Sequence, residues 1–163
     1  MMVDLHDKLT EILSINNFNH IIIDEKQIVC ECVIEGHIIT FQCILPSAFP
    51  YELPPVYIDK KCYEEIKPLP HVDDKYYVCT FDKNVVIPNF MYPAEIILES
   101  LIQARKIIHD GILKINLNDF LEEFHAYWLI ESQGFAKSIV AVGDKPKKIR
   151  CYQHGKVVYI ADN

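Results

Sequence analysis

Cysteine supplies the strongest chemical candidates: six occur among 163 residues, at positions 30, 32, 43, 62, 79 and 151. Cys79 stands apart by its setting. It lies in the short strand-like run Tyr76-Tyr77-Val78-Cys79-Thr80-Phe81 and precedes the irregular stretch 82–92. Loops held by a rigid scaffold are where reactive side chains tend to sit, and a nucleophilic thiol needs access and some thiolate, which a buried one lacks. His71 lies eight residues upstream, in Pro68-Leu69-Pro70-His71-Val72-Asp73-Asp74. If that loop folds back beside Cys79, the His71 imidazole or backbone N–H can stabilise an oxyanion there. Asp73, Asp74 and Asp82 flank the region and are candidates to orient an incoming lysine ammonium. The plainer alternatives are an ordinary strand cysteine, a solvated loop histidine and solvated loop acids.

Other groupings are weaker. Cys30, Cys32, His37 and Cys43 have ligand chemistry for zinc, but Cys30 and Cys32 alternate within Gln27–Ile34, which puts both on one face of a strand. No CxxC pair is present, so these three thiols are expected in the core and no metal is expected. His109 and His125 permit a cysteine-hydrolase reading, yet both fall on helical segments without a motif. There is no Gly-rich phosphate loop, GxSxG elbow or HExxH pair, and no cofactor is expected.

The elements that must position Cys79 read as follows. Leu5, Leu9, Ile12 and Leu13 predict an amphipathic helix from about Asp4, its cap, to Ile15. Strand-like segments follow at His20–Ile23, Gln27–Ile34 and His37–Leu45, the last two joined by the turn Glu35-Gly36. Pro46–Pro55 holds four prolines and excludes helix and central strand alike. Phe49, Tyr51 and Leu53 make it an ordered loop leading into a strand at Val56–Ile58. Lys60 to Asp74 is irregular in pattern. Pro93 opens a long helix with a stripe at Ile97, Leu101, Ala104 and Ile108, and Gly111 is expected to end it as the C′ residue. Asn118 is expected to cap a second helix, with Asp119, Glu122 and Glu123 near its N-terminus and Phe120, Leu121, Phe124, Tyr127 and Trp128 on its inner face. Three strand-like pieces close the chain, at Lys137–Val142, Lys148–Tyr152 and Lys156–Ile160, with a hairpin turn at His154-Gly155. The order is that of an α+β domain with a small β extension.

Composition narrows the function. Half the residues are hydrophobic, enough to build a core at the size of one domain. A net charge of −7 argues against a general phosphate-binding surface, so no nucleic-acid partner is expected. No apolar run approaches the roughly 18 residues a membrane span requires, and Met1–Lys8 lacks a signal-peptide core. No membrane association is expected, and a cytoplasmic location with reduced cysteines is.

With these parts in order, the chain resembles the ubiquitin-conjugating-enzyme (UBC) fold, in its divergent bacterial branch associated with ThiF-like activating enzymes. The resemblance runs over about residues 4 to 130. It rests on the opening helix, a four-stranded antiparallel meander, Phe49-Pro50-x-x-x-Pro54-Pro55, Leu69-Pro70-His71-Val72, Tyr77-Val78-Cys79, a long helix, and Phe120-Leu-Glu-Glu-Phe-His-Ala-Tyr127-Trp128. It implies that Cys79 accepts an acyl group as a thioester and that His71 stands at the place of the Asn of a His-Pro-Asn tripeptide or the His of a bacterial Pro-His-Val pattern. The chain has no His-Pro-Asn, and Asp74-Lys75-Tyr76-Tyr77 lacks the Gly that usually precedes the active-site segment. The implied partners are a ThiF-like activating enzyme, separate or fused, and an acyl donor that is a ubiquitin-like protein or the C-terminus of a cyclic-nucleotide synthase. The implied acceptor is a target lysine, which would leave an isopeptide bond. The implied setting is bacterial antiphage defence, CBASS among its forms. Residues 1–133 would form the conjugating domain and 134–163 a β-rich extension or the start of a linker. The other reading is a catalytically inactive UBC/RWD-like interaction module.

Overall fold

The computed structural model of the chain describes residues 2–81, 85–123, 135–140 and 147–162. By internal contacts it divides into two compact units, Met1–Phe124 and His125–Asn163.

In the first unit, alternation builds the sheet. Strands β2 (Gln27–Ile34) and β3 (His37–Ile44) bury Ile28, Cys30, Cys32 and Ile34, and Ile39, Phe41 and Cys43, on one face. Glu35 and Gly36 between them both adopt positive φ, 48° and 82°, as a two-residue primed hairpin turn requires. The turn locks Ile34 opposite His37. Strands β1 (Asn19–Ile23), β4 (Val56–Ile58) and β5 (Tyr77–Val78) extend the sheet, antiparallel throughout, in the order β1-β2-β3-β4-β5. The expected meander had four strands. The segment leading to Cys79 adds a fifth along the free side of β4.

Helices α1 (Met2–Ile15) and α3 (Pro93–Ile112) cover the inner face. Leu9 and Leu13 of α1 meet Ala94, Ile97, Leu101, Ala104 and Ile108 of α3 in one core with the three buried thiols. Arg105 fastens the two helices, its guanidinium donating to the Asn16 carbonyl at 2.6 Å and lying 4.9 Å from the centre of the Phe18 ring. Helix α1 begins at Met2, so Asp4 lies inside it and is not its cap.

Other expectations about the helices change. The stretch read as irregular after Lys60 begins with helix α2 (Lys60–Ile66), whose amides at Lys61 and Cys62 bond the Asp59 carboxylate. Its cap is Asp59, and Tyr63 is its one buried residue. Gly111 does not end α3 but lies inside it, on the same stripe as Ala104 and Ile108. Helix α4 (Leu117–Glu122) starts after Asn116, two residues ahead of the expected Asn118 cap, which lies inside the helix. It buries no residue, and Leu121 is 75% exposed, so the described part has no aromatic inner face. Phe124, Tyr127 and Trp128 lie outside the described residues.

The proline-rich passage is ordered as expected. Pro55 accepts the Ile44 N–H, Leu53 and Pro54 are buried, and Phe49 packs on the core, but Tyr51 is 70% exposed.

The second unit holds a three-stranded sheet of β6 (Phe135–Ser138), β7 (Ile149–His154) and β8 (Val157–Asp162), in the order β6-β8-β7. Pairing of His154 with Val157 puts the turn at Gly155-Lys156, with Gly155 at φ 60°, one residue later than expected. The fold class is α+β, as the order of elements implied.

Candidate active site

Cys79 closes a short hairpin that starts at His71. The Cys79 N–H donates to the His71 carbonyl at 2.8 Å, Val72 bridges Val78, and the Asp73 N–H donates to Tyr77. The Asp73 carboxylate shapes the turn, its Oδ1 accepting from the N–H groups of Lys75 and Tyr77, both at 2.9 Å. Tyr76 takes φ 67° in the turn that leads into the Cys79 strand. A large residue seldom accepts that conformation. Here the Tyr76 N–H is tied to the Asp73 carbonyl, and its ring lies 5.5 Å from that of buried Tyr63. A turn needing positive φ is thus kept with a tyrosine.

The segment before the hairpin is seated by Gly111. A Cβ on Gly111 would lie 2.8 Å from Leu69 Cδ2 and 3.2 Å from Pro70 Cδ. Leu69 and Pro70 are both buried. Bare backbone on α3 therefore lets Leu69-Pro70 lie flat on the helix immediately before His71. Gly111→Ala gains about 1 kcal/mol of helix propensity and loses about 1–3 kcal/mol to overpacking. The expected outcome is a small net stability change with a displaced 69–71 segment, seen as shifted amide resonances from Leu69 to Cys79. Unmoved resonances there would show that the segment does not depend on the glycine.

His71 itself is at φ 61°. Its ring lies between two carboxylates of the α4 region: Nδ1 is 2.8 Å from Glu123 Oε1 and Nε2 is 3.2 Å from Asp119 Oδ2. Its backbone N–H donates to Glu123 Oε2 at 2.8 Å. From the sequence, Asp119 and Glu123 read only as acids favourable near a helix N-terminus. Their signal was spacing: residues four apart project from one side of a helix.

The structure thus brings Cys79, His71 and Asp73 together. Asp74 sits on the exposed turn of the same hairpin. Asp82 lies outside the described residues. Of the six thiols, Cys79 and Cys151 are exposed, Cys62 is half-buried, and Cys30, Cys32 and Cys43 are buried. The Cys79 thiol is held above its ordinary value of 9.0, first by partial desolvation and then by the negative charges of Asp73 and Glu123. Asp73→Asn keeps an oxygen for the turn and removes a charge. Alkylation of Cys79 by iodoacetamide at about pH 8, followed by mass spectrometry, should then speed up about two- to threefold. An unchanged rate would mean that Asp73 does not act on the thiol.

Tyr51 and Phe90 stand exposed with ring centres 5.2 Å apart, and Met91 is 69% exposed. Among the described residues no helix is long and apolar enough to cross a membrane.

Comparison with known proteins returns one finding. The model of prokaryotic E2 family B matches residues 4–136, while no curated protein and no solved structure matches the chain. E2-like proteins are transferases of the ubiquitin-conjugation kind, working with an activating enzyme and a substrate. The match takes in the opening helix, the sheet, the Cys79 hairpin and both helices that pack or clamp it, and on that ground the chain belongs to prokaryotic E2 family B.

Proposed function

We propose that this chain accepts the C-terminal acyl group of a ubiquitin-like protein, or of another protein such as a cyclic-nucleotide synthase, as a thioester on Cys79 and passes it to a lysine amine. The observation that carries this reading is an exposed cysteine closing a hairpin whose amide is held by His71, in a chain of the E2 family. The Cys79 thiolate attacks the donor's thioester on a ThiF-like activating enzyme, separate or fused. The new carbon–sulfur bond forms as the activating enzyme's thiolate leaves. A thiol held protonated still serves, because the acyl group arrives activated and a small thiolate fraction suffices. A deprotonated lysine amine then attacks the Cys79 thioester, an isopeptide bond forms, and the Cys79 sulfur leaves and regains a proton. His71 is assigned to the oxyanion: during transfer its Nε2–H exchanges the 3.2 Å contact with Asp119 for the developing charge, while Glu123 keeps its hold on Nδ1 and the backbone N–H. Asp74 and Asp82 are assigned to the approach of the lysine, and Asp73, whose carboxylate also builds the turn, joins them there.

Residues 1–133 are assigned to conjugation and 134–163 to an extension. Six unpaired thiols suit the cytoplasm, and antiphage defence is the proposed setting. An inactive interaction module is the second reading, favoured by the commitment of His71 to two carboxylates and by the exposed Tyr51–Phe90 pair. Mixing the chain with ATP, the activating enzyme and the donor decides between them on a non-reducing gel. A reductant-sensitive adduct supports conjugation. Partner binding without an adduct makes the chain an interaction module.

A further inference from the structure

We propose that Glu123, assisted by Asp119, is a positioning residue for acyl transfer: the two carboxylates close as a clasp on His71 and so fix the hairpin that presents Cys79. The inference rests on the reading of Cys79 as acyl acceptor.

Glu123 holds His71 at two points, one oxygen on the backbone N–H and the other on ring Nδ1, both at 2.8 Å. Asp119 takes Nε2 from one turn earlier on the same side of α4. The residue so gripped has left-handed backbone, φ 61°, which a non-glycine residue keeps only when its surroundings hold it there. On the other side of His71, its carbonyl receives the Cys79 N–H at 2.8 Å. The chain of contacts therefore runs from α4 through His71 to the Cys79 amide, across 52 residues of sequence. All three side chains are about a third exposed, so ion pairing contributes little to the clasp in water. What the clasp supplies is geometry: two hydrogen bonds to one residue fix both its peptide plane and its ring.

Geometry and charge are separable here. Glutamine at position 123 can accept the His71 N–H with its oxygen and donate its amide to Nδ1 of a neutral ring, whose Nε2–H still meets Asp119. Glutamine thus preserves the clasp without the charge, while alanine removes both.

Three variants, Glu123→Ala, Glu123→Gln and His71→Ala, with the double variant Glu123→Ala/His71→Ala, test this by two measurements. One is the single-turnover rate of acyl charging on Cys79 by the activating enzyme and donor. The other is hydrogen exchange of the Cys79 amide, which needs no partner. Glu123→Ala should slow charging about tenfold and speed exchange about tenfold, each equivalent to about 1.4 kcal/mol. Glu123→Gln should restore both to within about threefold of wild type, and Glu123→Ala should add nothing in the His71→Ala background. Glutamine as poor as alanine, additive losses in the double variant, or wild-type charging and exchange in Glu123→Ala would each overturn the proposal. A wild-type chain that never charges overturns the conjugation reading and the transfer role with it. The exchange measurement then reports separately on whether the clasp holds the hairpin.

Discussion

Cys79→Ala should abolish acyl charging, a loss of about 10³-fold or more, because the variant has no atom to carry the thioester. The thiol is exposed, so its removal should leave stability within about 0.5 kcal/mol of wild type, and the loss will not be one of folding. Cys62→Ala and Cys151→Ala should charge at wild-type rates. Cys62 sits on α2, its thiol 3.5 Å from the Ile38 carbonyl, and Cys151 belongs to the C-terminal unit. Cys79→Ser should give an oxygen ester that survives thiol reductants, and Cys79→Lys an isopeptide. Timed gels with each variant check the set. Charging that persists in Cys79→Ala would move the acceptor elsewhere.

The second large effect is on stability and appears in alkali. Burial pushes the Cys30 thiol to about 12 and the Cys32 thiol to about 11, and raises that of Cys43 further. Neighbouring Cys32 and Glu31 add to the rise at Cys30, and Cys30 to that at Cys43, whereas Arg105 opposes it at Cys32. The ordinary value is 9.0, so above it the unfolded chain releases protons that the folded chain keeps. The stabilisation is therefore complete below pH 9 and is lost as pH rises through the folded values. Each thiol costs about 1.4 kcal/mol per pH unit in that window. Between about pH 8 and pH 10 the three together should remove roughly 4 kcal/mol, a large part of the 5–15 kcal/mol typical of a domain. Urea midpoints measured across that range should fall steeply, and Cys43→Ala should flatten the slope by about a third even as it lowers the starting point. A flat profile would mean that these thiols are not buried as thiols.

Local pattern carried much of this fold. The alternation of Gln27–Ile34 put Cys30 and Cys32 on one face, and that face is the core. The stripe from Ile97 to Ile108 marked α3, and Glu35-Gly36 marked the primed turn. What stayed hidden depends on partners far along the chain. Helix α2 is seven residues long and buries only Tyr63, too little for a periodic signal, so its one local cue was the Asp59 cap. Gly111 reads as a helix terminator because glycine commonly ends helices, while its contact with Leu69 and Pro70 is a matter of tertiary packing. Tyr76 at positive φ is held by Asp73 and Tyr63, and nothing in its own identity announces that conformation. In the site, proximity of Cys79 to His71 was legible from their spacing and the resemblance. The grip of Asp119 and Glu123 on His71 was not, because it joins residues 48 and 52 positions apart.

The most direct test of the account is to locate the acyl group. The chain is charged with activating enzyme, ATP and donor, quenched without reductant, digested, and the peptides are identified by mass spectrometry. The account predicts the donor's C-terminal residues on the peptide containing Cys79, released by hydroxylamine. The same modification on the peptide of Cys62 or Cys151, or its absence from every cysteine while the activating enzyme itself is charged, would contradict it.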